Sequence, residues 1–242
     1  MCAKLIADIH KALQNVSGLQ NPLPERDYHK HDEFLSYGLS ASQFRHLMKE
    51  FQPRFLKLSL QERMEQAERL LQTHIGDLGH VGLYILTLSI QDLTPKHFLY
   101  LDSLPEHFRS WSHVDHLALG VTQPLLWQYR KETIQLLEEW SRSPIRWKRR
   151  ASIVTFVRKA AKSGEFTEEV LHLCENLIWD EEDIVQKGVG WALKDNLRSA
   201  PERILPYIKD LRRRGVPSTI TLYAIRDLKG SKRQEILALQ RK

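Results

Sequence analysis

The chain has 242 residues, 42% of them hydrophobic and 27% charged, a composition that excludes disordered and membrane-embedded classes. It holds 11 Gly and 10 Pro, below the ~12% usual for the two together, which disfavours many short strands and tight turns and leaves an all-α fold as the expectation. The net charge of +6 is uneven: residues 1–121 carry 12 Lys and Arg against 14 Asp and Glu, whereas residues 122–242 carry 24 against 16. A basic half fits a polyanionic partner such as nucleic acid, and it equally fits a solvated surface.

In chain order, residues 1–14 read as an amphipathic helix through Leu5, Ile6, Ile9 and Leu13, without the apolar core or cleavage site of a signal peptide. Ser40 with Gln43 and Ser59 with Glu62 have the spacing of capping boxes. The first is followed by an apolar stripe of Phe44, Leu47, Met48 and Phe51. Residues 81–90 are the one run that could pass for a strand, and are half the length a membrane span needs. Thr94-Pro95 and Ser143-Pro144 place a hydroxyl at the N-cap and Pro at the first helical position. Pro105, Pro201 and Pro217 open further helices. The punctuation predicts about eleven or twelve helices of roughly 10 to 18 residues with short connections, hence a single domain over residues 1–242. A cytoplasmic monomer that binds no membrane is expected.

Two cysteines, Cys2 and Cys174, form no disulfide framework. Cys174, in series with Leu171, Leu177 and Ile178, is expected as a buried, inert thiol. His113 with His116, and His29 with His31, have spacings a metal could use, yet no third ligand is evident. They are expected as surface histidines, with neither metal nor cofactor. Trp127, Trp140, Trp147 and Trp179 are assigned to packing.

The helices pair and the pairs repeat. An apolar residue and its partner four later line up as Trp111/Asp115, Trp147/Ala151, Ile184/Gly188 and Ile220/Ala224, at spacings of 36, 37 and 36 residues. Leu78/Gly82 is a weaker upstream copy. A period in the high thirties filled by two helices predicts a superhelical solenoid of HEAT-like antiparallel helix pairs. Asp115 is out of character, because the other repeats have a small residue there, and a carboxylate in a packing slot must be paired, solvated or used. Taken alone, it could equally be a helix residue satisfied by a neighbouring Arg. Trp111 shares its helix face. Arg150 precedes the equivalent position in the next repeat and Lys187 in the one after, with Trp191 four beyond Lys187. One acid, two cations and two indoles thus recur in register.

These segments carry a family resemblance. Residues 110–115 (Ser-Trp-Ser-His-Val-Asp), 146–153 (Arg-Trp-Lys-Arg-Arg-Ala-Ser-Ile) and 184–193 (Ile-Val-Gln-Lys-Gly-Val-Gly-Trp-Ala-Leu) resemble the HEAT-like-repeat DNA alkylation repair family, the AlkD-like alkylpurine DNA glycosylases. Residues 28–39 resemble it more weakly. The resemblance implies that Asp115 is the catalytic carboxylate, that Trp111 and Trp191 flank the lesion, and that Arg150 holds a backbone phosphate. It implies double-stranded DNA containing alkylated purines as the partner, with the protein on the nucleoid when bound, and no cofactor. Lys187, Arg149, Arg146, Lys148, Lys194 and Tyr28 are the further DNA contacts expected; Lys187 could otherwise act as an amine nucleophile. The chain departs from the family at Ser110, Ser112 and His113, beside the proposed catalytic pair. The alternatives are a DNA-structure binder without excision activity and a protein-interaction scaffold.

Overall fold

The computed structural model describes residues 2–25 and 34–239. Its helices are α1 (Cys2–Ser17), α2 (Ala41–Phe55), α3 (Leu60–Gln72), α4 (Gly76–Thr87), α5 (Phe98–Ser103), α6 (Trp111–Leu117), α7 (Gln123–Gln128), α8 (Arg130–Ser141), α9 (Arg146–Val154), α10 (Lys159–Ser163), α11 (Thr167–Leu177), α12 (Asp183–Asn196), α13 (Pro201–Arg214), α14 (Ser218–Ala224) and α15 (Gly230–Leu237). Among the described residues the only sheet is an antiparallel ladder of β1 (Leu23–Pro24) and β2 (Leu35–Ser36), with Leu23 opposite Ser36 and Pro24 opposite Leu35. The fold is all-α. It divides into two compact units, Met1–Leu125 and Leu126–Lys242.

In the first unit both capping boxes form as the spacing requires. Ser40 Oγ accepts the Gln43 amide and Gln43 Oε1 accepts the Ser40 amide; Ser59 and Glu62 do the same. The stripes these caps set in register bury Leu5, Ile9 and Leu13 of α1 with Leu47, Met48, Phe51 and Phe55 of α2 and Leu78, Val81 and Ile85 of α4. The strand-like run at 81–90 lies largely in α4, which packs on both α3 and α6. Helices α3 and α4 approach so closely at Gly82 that a Cβ there would lie 2.6 Å from the Ala67 carbonyl oxygen. Gly82→Ala is therefore expected to destabilise the first unit by about 1–3 kcal/mol, because the obstacle is backbone and must be displaced bodily. Thermal denaturation followed by circular dichroism measures this.

The second unit consists of HEAT-like pairs: α8 packs on α9, α11 on α12 and α13 on α14. The second members stack, α9 on α12 and α12 on α14, while α11 touches both α8 and α13. The repeat register explains the stacking. Ala151 and Ala224 are buried, and at Gly188 a Cβ would sit 3.3 Å from both Ile153 and Val154 of α9. Several helices are shorter than the 10 to 18 residues expected, among them α5, α6, α10 and α14. Pro105 opens only a 3-10 turn, Leu104–His107. Ser143-Pro144 precedes rather than starts α9, since Ser143 Oγ accepts the Ile145 amide in a turn and the helix begins at Arg146. Among the described residues no helix is long and apolar enough to cross a membrane.

Candidate active site

Helix α6 begins at Trp111 because Ser110, with extended backbone, turns its Oγ to accept the Ser112 amide at 3.0 Å. Ser110, one of the departures in sequence, is thus the N-cap, a position where its short hydroxyl side chain is favoured. Trp111 and Asp115 follow on one face, both partly exposed. Beyond them the helix widens into a π-helical turn over Ala118–Thr122, where the Gln123 amide reaches back to the Ala118 carbonyl. The cause is Pro124, which has no N–H for the Gly120 carbonyl and whose ring crowds it. Pro124 is the sequence signal that could have located this turn. Gly120 in this turn lies close against α4, where a Cβ would meet Thr87 Cγ2 at 2.6 Å.

The histidines beside Asp115 are not on the surface. His113 is 2% exposed, and its Nε2 is 2.9 Å from the Gly76 carbonyl. His80 of α4 bridges two residues of α6, with its Nδ1 3.1 Å from His116 Nδ1 and its Nε2 3.1 Å from Ser112 Oγ. Ser112 Oγ in turn lies 2.8 Å from Ser110 Oγ. Two Nδ1 atoms share a hydrogen bond only when one carries the proton and the other does not, so one ring donates and the other accepts. Burial lowers the His116 pKa to about 4. This chain of polar groups ties the first turn of α6 and the far side of Asp115 to α4. Among the described residues no group of three or more His, Cys, Asp or Glu is arranged to hold a metal ion.

The remaining predicted residues lie in the second unit, apart from Tyr28, which, like His29 and His31, lies outside the described residues. In the basic run 146–150, Lys148 and Arg150 are buried and Arg146 and Arg149 partly so. Helix α9 is packed by α8 and α12, so Lys148 and Arg150 are interior, 7% and 4% exposed. Arg150 Nη1 donates to the Ile184 carbonyl at 2.7 Å, tying α9 to the start of α12. Arg149 grips Asp180 through Nε and Nη2 at 2.5 and 3.2 Å, and its Nη1 donates to the carbonyls of Ser143 and Pro144. Arg146 lies over the Trp147 ring and 3.6 Å from Glu182. Lys187 pairs with Asp183 at 2.7 Å and Lys194 with Asp195 at 3.2 Å.

Trp191 is oriented rather than loosely exposed. Its Nε1 donates to Asp195 Oδ2 at 3.0 Å, and the Arg158 guanidinium lies 5.4 Å from its ring centroid. Trp140 and Trp147 are buried as assigned. Trp127, 38% exposed, packs edge-on against Phe166 with ring centroids 5.4 Å apart, whereas Trp179, in the turn after α11, is 57% exposed. Cys174 is buried, and burial raises its thiol pKa.

The model of a family described as "DNA alkylation repair enzyme" matches residues 9–228. Among solved structures, the fold is similar to a predicted DNA alkylation repair enzyme from Enterococcus faecalis, at 16% identity over 82% of this chain and 90% of that one, with a TM-score of 0.69. It is also similar to smu.31 from Streptococcus mutans UA159, at 16% identity over 76% and 96%, TM-score 0.56. A third is the alkylpurine DNA glycosylase AlkC of Pseudomonas fluorescens, bound to DNA containing an abasic site analog, at 16% identity over 94% of this chain and 63% of that one, TM-score 0.51. No curated protein matches the chain. The structural likenesses, at this identity, concern the fold, whereas the family match spans nearly the whole sequence. The chain belongs to the DNA alkylation repair enzyme family.

Proposed function

We propose that the protein is a monofunctional N-glycosylase that binds double-stranded DNA and hydrolyses the glycosidic bond of N3- and N7-alkylated purines. The observation that carries this reading is Asp115. In the register where other second helices place Ala151, Gly188 and Ala224, all buried, α6 places a partly exposed carboxylate with an indole one turn before it. Family membership supports DNA repair as the setting. The DNA-bound glycosylase with a similar fold supports DNA as partner.

The chemistry suits a carboxylate. Alkylation at N3 or N7 makes the purine cationic and a good leaving group, so little acid catalysis is required. Departure leaves positive charge on the sugar, which an ionised Asp115 stabilises, and the same oxygens accept a hydrogen bond from the attacking water. The face of Trp111 attracts cationic sugar and base through the ring quadrupole. Arg150 acts from the interior by holding α9 against α12. Incubation with methylated duplex DNA is expected to release 7-methylguanine or 3-methyladenine, followed by chromatography of the freed bases. No release at any enzyme concentration would overturn the enzymatic reading, and duplex binding without release would leave a DNA binder.

A further inference from the structure

The open cations of the second unit include three that continue the basic run begun at Arg146, a run that reads in sequence as a solvated or phosphate-tracking face. Arg158, Lys159 and Lys162 follow α9, all exposed, and among the described residues none is paired with a carboxylate. Arg158 holds a backbone conformation that side chains avoid, φ 52° and ψ −106°. Two contacts keep it there: its amide donates to Asp195 Oδ2 at 2.9 Å, and its guanidinium stacks on Trp191. Strain of this kind persists only where the surroundings over-determine it. Here it aims a planar five-donor fork along the indole.

Arg158, Lys162, Asp195, Arg198 and Ser199 line an open cavity of about 550 Å³. Its acids are already used. Asp195 serves the Trp191 indole, the Arg158 amide and Lys194, and the Arg198 charge is met by Asp227. Arg158 and Lys162 therefore leave the cavity positive. Lys162 also lines a neighbouring cavity of about 420 Å³, where Lys159 Nζ lies 5.1 Å from the exposed Trp127 ring. Three cations thus lie between two indoles, in the order Trp191, Arg158, Lys162, Lys159, Trp127. A held guanidinium with neighbouring ammonium groups beside flat apolar faces matches a ligand with repeating phosphodiesters joined by sugars.

Resting on the reading that this protein binds duplex DNA, we propose that Arg158 and Lys162 form a backbone-phosphate subsite, with Arg158 held in place by Trp191 and Asp195. Wild type, Arg158→Gly, Lys162→Ala and the double variant are compared by fluorescence anisotropy with labelled duplex between 50 and 200 mM salt. Arg203→Ala is the control, since Arg203 of α13 pairs with Glu168 of α11.

The double variant should bind at least about tenfold more weakly, and the slope of log K against log salt should fall by about 1.8, two contacts' worth. The control should match wild type. Glycine accepts the mirror of the extended region, so Arg158→Gly should raise Tm by about 2–4 °C while it weakens binding. A loss of affinity therefore cannot be assigned to unfolding. If wild type binds duplex and the double variant binds with the same affinity and slope, the subsite is overturned and the glycosylase reading stands. If wild type binds no duplex, both fall.

Discussion

Asp115→Asn is expected to lower the release of alkylated purines by at least about 100-fold while leaving duplex affinity within about twofold of wild type. Asparagine keeps the shape of the side chain and one acceptor oxygen, so the substitution isolates the charge. In the proposed mechanism the charge acts only when the sugar becomes cationic, a demand that exists in the transition state and not in the complex with intact DNA. A single-turnover rate at saturating enzyme measures the first quantity, and anisotropy measures the second. If Asp115 were merely a helix residue, removal of its charge would change neither by much. Release within about threefold of wild type would move the catalytic role elsewhere. Trp111, four residues before it, provides a companion test, since Trp111→Ala should slow release while Asp115 keeps its register on α6.

Acid should destabilise the first unit, and His116 should account for a measurable share. In the unfolded chain His116 titrates near the ordinary histidine value of 6.5; in the folded protein burial holds it at about 4. Between those values the unfolded state binds more protons, so stability is complete above pH 6.5 and falls as pH drops toward 4. The loss from this one ring between pH 7 and pH 4.5 is about 2 kcal/mol. His10 and His74 are shifted downward by burial as well and add to the fall in the same direction. Urea unfolding at the two pH values should therefore show a steeper loss for wild type than for His116→Asn, which retains a polar partner for His80 without a titrating ring. Equal pH dependence in the two proteins would show that folded His116 takes up its proton as readily as it does in the unfolded chain. The prediction bears on the site because the His80–His116–Ser112 chain supports the helix that carries Trp111 and Asp115.

Much of this arrangement is legible in residue order because its causes are local. The capping boxes at Ser40 and Ser59 close within three residues, and a hydroxyl or carboxylate at that distance can reach only one set of amides. The repeat at 36 and 37 residues is equally legible, because each second helix must offer a small or apolar side chain to its neighbour at the same place. Asp115 stands out for the same reason: it breaks a rule that its own sequence states at Ala151, Gly188 and Ala224. The family resemblance rested on these segments, and the family match runs through all of them.

The fate of charges was decided only in three dimensions. Arg150, Arg149 and Lys148 look like a basic face, yet Asp180 and the Ile184 carbonyl, 31 and 34 residues away, draw two of them into intramolecular bonds. Arg158 and Lys162, indistinguishable from them in sequence, stay open to solvent, because α9 ends before them and Asp195 fixes the turn. The histidines show the same division. Residue order places His113 and His116 three apart, but only the packing of α4 against α6 brings His80 between them, and only burial in the fold lowers the His116 pKa. Hydrophobic period and capping are properties of neighbouring residues, so the sequence by itself determined the helices, their pairing and the anomalous carboxylate. Burial, partners and backbone strain depend on contacts across tens of residues, so the tertiary structure alone decided which cations remain available and how the indoles are held.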